Sequence, residues 1–167
     1  MKRIVIHWTA GTNKANGTDR LHYHYVIDDE GNIITGKFPV EANVVCKNDT
    51  KGNPLYAAHT GGGNTGSIGV SMCGMAGFKG VNDVGKYPLK RKQCEACFKL
   101  VAQLCKVYNI PITPQTVLTH YEFGKANPKT TSAGKIDIVY LPPYPDVLKT
   151  KVGDFIRNKV RWYSQHI

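Results

Sequence analysis

The chain carries six histidines, His7, His22, His24, His59, His120 and His166, and two of them end apolar runs. His7 closes Ile4-Val5-Ile6, and His120 follows Thr116-Val117-Leu118-Thr119. Strand ends beside loops are where ligands and catalytic groups concentrate. Two histidines and one carboxylate, with a fourth position left open, form a donor set of hydrolytic zinc. Asp137 is the candidate carboxylate. It stands alone between Ile136 and Ile138, and a carboxylate in apolar surroundings needs a partner. An ion pair with Lys135, or an edge-strand turn, would also satisfy Asp137, so spacing leaves the metal reading open.

The cysteines offer less. Cys46, Cys73, Cys94, Cys97 and Cys105 are odd in number, and three of them share one helical apolar pattern. They read as reduced core thiols rather than a disulfide framework. Cys94-x-x-Cys97 has no second pair to complete a zinc site. Gly61-Gly62-Gly63 is not a phosphate loop, because no Gly-Lys-Ser/Thr follows it. His166 lies at the chain end and reads as solvent-exposed.

These residues must be positioned by a chain of 167 residues and 18.5 kDa, enough for one domain with a real core. β-branched and apolar runs predict strands at 2–8, 21–27, 33–37, 67–73 and 116–119, with a hairpin turn over 28–32. On the strand 21–27, His24 alternates with Tyr23 and faces the other way, which makes it structural, and His22 shares its face. Apolar residues at three- and four-residue steps predict a helix over 89–108 that buries Cys94, Cys97, Phe98, Val101, Leu104 and Cys105. A second helix, over 154–165, is expected to be capped by Asp154. Strands interspersed with helices predict an α/β (α+β) fold. We expect one domain with a central mixed β-sheet flanked by helices.

Hydrophobic residues make up 41% of the chain and charged residues 20%, which excludes a disordered tail. No run approaches the roughly 18 to 20 apolar residues of a membrane span. Met1-Lys2-Arg3 is followed by only three apolar residues before His7, so no signal peptide is expected. The 22 Lys and Arg exceed the 12 Asp and Glu by ten. Such a balance points to a polyanion: nucleic acid, an anionic cell wall or a lipid face. The basic residues are scattered and carry no nucleic-acid-binding signature, which argues against nucleic acid.

Five segments, in order, resemble the type-2 N-acetylmuramoyl-L-alanine amidases, a family that includes phage endolysins, cell-wall recycling amidases and peptidoglycan recognition proteins. They are Ile4-Val5-Ile6-His7-Trp8-Thr9-Ala10; His22-Tyr23-His24-Tyr25-Val26-Ile27 with Asp29-Glu30-Gly31; Ala57-Ala58-His59-Thr60 with Asn64 and Ser67-Ile68-Gly69-Val70; Thr119-His120-Tyr121-Glu122; and Lys135-Ile136-Asp137. The resemblance implies a zinc amidase catalytic domain over about 1–150; beyond it, residues 151–167 read from their own composition as a basic C-terminal helix, packed on the same domain or contacting anionic envelope lipid. It implies Zn2+ held by His7, His120 and Asp137, with Lys135 stabilising the developing oxyanion and Tyr23 orienting the water or polarising the carbonyl. The bond implied is the amide between N-acetylmuramic acid and L-alanine of peptidoglycan. His59, Thr60 and Asn64 are expected to bind substrate, with a cap or turn role the alternative for Asn64. Glu122 is either a carboxylate that orients a zinc histidine or an ordinary surface residue.

Recycling members carry a Glu general base where this chain has Ser71, which favours the Tyr23 arrangement and a phage or prophage endolysin. A binding-only recognition module would lack a zinc ligand, and none is missing here. Many members place a helix between the first strand and the Tyr-His segment. Residues 9–20 look too short for one, so a more open groove is expected there. We expect a monomer, made in the cytoplasm and released to act on periplasmic or wall peptidoglycan, with peptidoglycan its partner and no nucleic acid.

Overall fold

A computed structural model describes residues 1–167. Five strands form one mixed sheet: β1 (Arg3–Trp8), β2 (Tyr25–Ile27), β3 (Ile33–Thr35), β4 (Ser67–Met72) and β5 (Val117–Thr119). Their order is β3-β2-β4-β1-β5, with β1 parallel to β4 and β5, β2 parallel to β4, and β3 antiparallel to β2. Four helices complete the fold: α1 (Gly17–His22), α2 (Arg91–Tyr108), α3 (His120–Ala126) and α4 (Val152–Ser164). The expected single domain with a mixed sheet and flanking helices is what the chain forms.

Strands β1 and β4 are buried apart from Arg3 at the start of β1, but their faces differ in chemistry. Side chains alternate along a strand. Ile4, Ile6 and Trp8 of β1 and Ile68, Val70 and Met72 of β4 join one large apolar cluster with α2 and α4. The opposite face carries Val5 and His7 of β1 and the small residues Ser67, Gly69 and Ser71 of β4. Val5 packs there with Leu118 and Phe123. The apolar face anchors the sheet, and the small-residue face leaves room for polar groups. Burying each large aliphatic side chain contributes about 1.5–3 kcal/mol.

The predicted stripe of α2 is buried as expected, including Cys94, Cys97 and Cys105, which are free thiols. Gln93 in its first turn is fully buried, and its amide donates to the carbonyls of Ile27 and Cys73 at 2.9 and 2.8 Å. That fixes α2 against the ends of β2 and β4. Helix α4 packs on α2, with Val152, Ile156 and Val160 in the same core.

Three expectations need correction. Residues 9–20 do hold the start of a helix: α1 is short, and Asn16 caps it, accepting from the Asp19 N–H while Asp19 accepts from the Asn16 N–H. Consequently β2 begins only at Tyr25, and Tyr23 is the C-terminal cap of α1 rather than a strand residue. Asp154 is not the cap of α4; it lies in the first turn and accepts a hydrogen bond from Arg157 at 2.8 Å. Helix α3, directly after β5, is an added short element that the sequence expectations do not include.

Candidate metal centre

The register of β1 and β5 brings the first two candidate ligands together. Ile6 lies opposite Thr119 in this parallel pair. The next residues, His7 and His120, therefore leave the strand ends side by side, with their Nδ1 atoms 3.1 Å apart. The chain turns sharply from β5 into α3 at this point. The Thr119 hydroxyl accepts from the Glu122 N–H and the Glu122 carboxylate accepts from the Thr119 N–H, both at 3.0 Å. This reciprocal cap starts the helix at His120.

Asp137 arrives from the far side of the loop after α3. Its Oδ2 lies 2.9 Å from His7 Nδ1 and 3.1 Å from His120 Nδ1. The following residue, Ile138, has φ 69°, a left-handed conformation rare for a β-branched residue, and is 1% exposed. Burial of Ile138 in the core holds that turn and aims Asp137 at the histidines.

Three donor atoms thus form a nearly equilateral triangle, and all three residues are buried. Around a tetrahedral zinc with bonds near 2.0–2.1 Å, neighbouring ligand atoms sit about 3.3–3.4 Å apart. A displacement of a few tenths of an ångström fits the ion, so the residues suit the metal. Protonation agrees. Burial pushes the Asp137 carboxyl up, but hydrogen bonds from His120 and His7 outweigh it and hold the group well below the usual carboxylate range. Burial lowers His7, against the pull of Asp137. A neutral histidine beside an ionised carboxylate is the state a metal requires.

His120 and Asp137 line a groove of about 510 Å³, and His7, fully buried, stands behind them. Tyr23 and Lys135 line it. The Tyr23 ring tilts against His7 with centroids 5.1 Å apart. Burial, with Asp137 nearby, raises the Tyr23 phenol above its usual range, so at neutral pH it is a hydrogen-bond donor rather than a base. Gly36 permits the backbone course at Tyr23, since a Cβ there would stand 1.9 Å from the Tyr23 carbonyl oxygen. Lys135 is exposed on the wall of the groove. Ser71 is buried on the same sheet face, in register with His7, and its Oγ finds no protein partner. A hydroxyl at that position is no carboxylate base.

His59, Thr60 and Asn64 reach the groove but turn most of their polar atoms inward. Thr60 is fully buried. Asn64 Oδ1 accepts from the His59 and Thr60 N–H groups at 2.9 and 2.8 Å, which gives it the turn role weighed for it. His59 is 8% exposed and its Nδ1 lies 3.1 Å from His7 Nε2. Glu122 touches neither ligand histidine; it caps α3 and pairs with Arg157 at 2.9 Å. His24 is buried, accepting from the Gly69 N–H and bonding Asn43, both at 2.9 Å. His22 is exposed on the groove wall, where its Nδ1 donates to the Ala58 carbonyl at 2.9 Å. Sequence reading overlooked Ser132, whose Oγ is 3.0 Å from His120 Nε2. A serine in a polar loop gives no spacing signal.

The sequence profile described as N-acetylmuramoyl-L-alanine amidase matches residues 1–135. Every candidate but Asp137 falls inside that span; Asp137 follows two residues beyond it and rests on the geometry. No curated protein matches the chain. Among solved structures, a mutant of PlyL is 23% identical, with a TM-score of 0.55 over 96% of this chain and 84% of that one. The N-acetylmuramoyl-L-alanine amidase LysC from Clostridium intestinale is 18% identical, with a TM-score of 0.46 over 71% of this chain and 69% of that one. A drosophila peptidoglycan recognition protein, PGRP-SD, is 18% identical, with a TM-score of 0.46 over 78% and 74%. The first of these likenesses shows the fold.

Proposed function

Because the chain belongs to the N-acetylmuramoyl-L-alanine amidase family, we propose that it hydrolyses the amide joining N-acetylmuramic acid to L-alanine in peptidoglycan, with zinc held by His7, His120 and Asp137. The observation that carries this reading is the convergence of three buried donor atoms beside the groove that Tyr23 and Lys135 line. Zinc, when bound, supplies Lewis acidity to the attacking water and to the scissile carbonyl. The protein side chains do the rest. Lys135 offers a cation to the carbonyl oxygen as negative charge develops there. The Tyr23 hydroxyl donates a hydrogen bond that orients the water or the carbonyl.

Within this family we read the chain as a lytic amidase of the endolysin kind, acting on the periplasmic or wall face of the envelope. Support comes from Ser71, which stands where a recycling amidase would carry a Glu base. A binding-only role is disfavoured by the intact ligand triangle. The test pairs metal analysis with digestion of purified sacculi and of soluble anhydro-muropeptides. We expect one zinc per chain and turnover of sacculi in preference to the soluble fragments. A wild-type protein without zinc, or a His7→Ala variant that digests sacculi at the wild-type rate, overturns the metal mechanism. Preference for the soluble fragments assigns the chain to recycling instead.

A further inference from the structure

His59 was expected on the groove wall as a substrate contact, yet both of its ring nitrogens face protein partners. It lies in a row of four imidazoles: His24 and His59 have centroids 5.8 Å apart, His59 and His7 5.1 Å, and His7 and His120 4.6 Å. Gly69 makes the space for it. A Cβ at that position would stand 2.6 Å from the His59 ring carbons, so the third residue of β4 must lack a side chain for His59 to reach His7.

Proton bookkeeping around the row has one consistent solution once a metal takes the Nδ1 lone pairs. The Ser132 hydroxyl donates to the Gly61 carbonyl at 2.8 Å, which spends its only proton. His120 Nε2 must then be the donor to Ser132 Oγ. On the other branch, His59 Nε2 faces the Ser67 carbonyl at 3.4 Å, which can only accept. That places the His59 proton on Nε2 and leaves a bare lone pair on Nδ1. The Thr60 hydroxyl, 2.7 Å away, donates to this lone pair. The His7 Nε2–H then shares that one lone pair with the Thr60 hydroxyl, at 3.1 Å, and also meets the Thr60 oxygen at 3.4 Å, a three-centre contact in which His7 can only be the donor. Both ligand histidines are thereby held in the Nε2–H tautomer, with Nδ1 turned to the triangle.

We propose that His59 is a positioning residue of the metal centre, which fixes the tautomer and ring orientation of His7 through its Nδ1 acceptor and Thr60, rather than a residue that binds substrate. The inference rests on the zinc reading above. Partners of this kind are worth about 10- to 100-fold in metal affinity.

The experiment combines zinc affinity by chelator competition with long-range ¹H–¹⁵N spectra of the histidine rings in the zinc-loaded protein. We expect the wild type to show His7 and His59 both protonated at Nε2, with His59 Nδ1 bare. His59→Leu, which removes the acceptor, should bind zinc about 10- to 100-fold more weakly, and His59→Gln, which returns an acceptor oxygen, should recover part of that loss. The KM for peptidoglycan fragments should not rise in either variant. A wild-type spectrum with the His59 proton on Nδ1 overturns the proposal without any mutant, so misfolding of His59→Leu does not shelter it. Wild-type zinc affinity in His59→Leu, or a selective rise in KM, also overturns it and returns His59 to the substrate. If the wild type binds no zinc, the metal reading falls and takes this inference with it, an outcome distinct from tight zinc binding that ignores His59.

Discussion

Lys135 is exposed on the groove wall, so truncating it removes a cation and almost no packing. Lys135→Ala should keep its zinc and its melting temperature but lose about 10²- to 10³-fold in kcat. Metal analysis beside steady-state kinetics reads both, and an unchanged kcat would take Lys135 out of the transition state. Tyr23→Phe isolates the hydroxyl in the same way, because the ring that packs on His7 is retained. We expect kcat to fall at least tenfold with zinc affinity within about twofold, the signature of an interaction used mainly in the transition state. A rise in KM alone would make Tyr23 a binding residue. The residues of the triangle were legible because each breaks a local rule: two histidines end apolar runs, and one aspartate interrupts another. The turn role of Asn64 was one of two readings the chain offered, but the inward turn of His59 and Thr60 was not legible. It depends on a four-residue gap at Gly61–Asn64 and on the missing side chain of Gly69, and neither dictates a side-chain direction until the loop has packed on β4.

At the level of elements, the C-terminal helix supports the site from behind. Arg157 of α4 is 3% exposed, pairs with both oxygens of Glu122 at 2.9 and 3.0 Å, and donates to the Val117 carbonyl of β5 at 3.0 Å. One guanidinium thus joins α4 to the cap of α3 and to the strand that delivers His120. Gly153 gives Glu122 its room, since a Cβ there would press on the carboxylate. Arg157→Met should cost about 2–3 kcal/mol, below the range for a fully buried pair because the Glu122 side chain is 29% exposed. Urea unfolding measures it, and a loss under about 0.5 kcal/mol would reduce this contact to surface decoration. A parallel fall in zinc affinity would show that the strain reaches His120. The long helix α2 was legible because eighteen residues repeat one stripe. The short helices were not, since six or seven residues hold too few turns for a period to emerge. Their caps were nevertheless written in the chain, Asn16 with Asp19 and Thr119 with Glu122, each an acceptor followed three residues later by an acid.

For the whole molecule, the buried histidines and the net charge each predict a dependence on solution conditions. Burial lowers His24 to about 4, against the opposing bond to Asn43. The unfolded chain titrates near 6.5, so between about 4 and 6.5 it binds a proton that the folded chain refuses. Stability is therefore full above pH 6.5 and falls as the pH drops through that window, by about 3 kcal/mol from His24 alone. Urea titrations from pH 7 to pH 4 should show this slope, and His24→Gln should remove its share while the buried His7 and His59 keep the rest; a pH-independent midpoint would contradict the burial. The charge of +10 acts over longer range. Peptidoglycan carries carboxylates at high density, so a basic enzyme gathers at its surface, and screening should release it. The screening length shrinks from about 10 Å at 0.1 M salt to about 3 Å at 1 M. Across that interval we expect KM for insoluble sacculi to rise several-fold while kcat holds, because the triangle is buried and screened only weakly. A short soluble fragment, which presents few carboxylates, serves as the control and should show little change in KM. If fragment and sacculi respond alike, salt is acting inside the groove at Lys135, and the surplus of basic residues contributes nothing to capture of the wall.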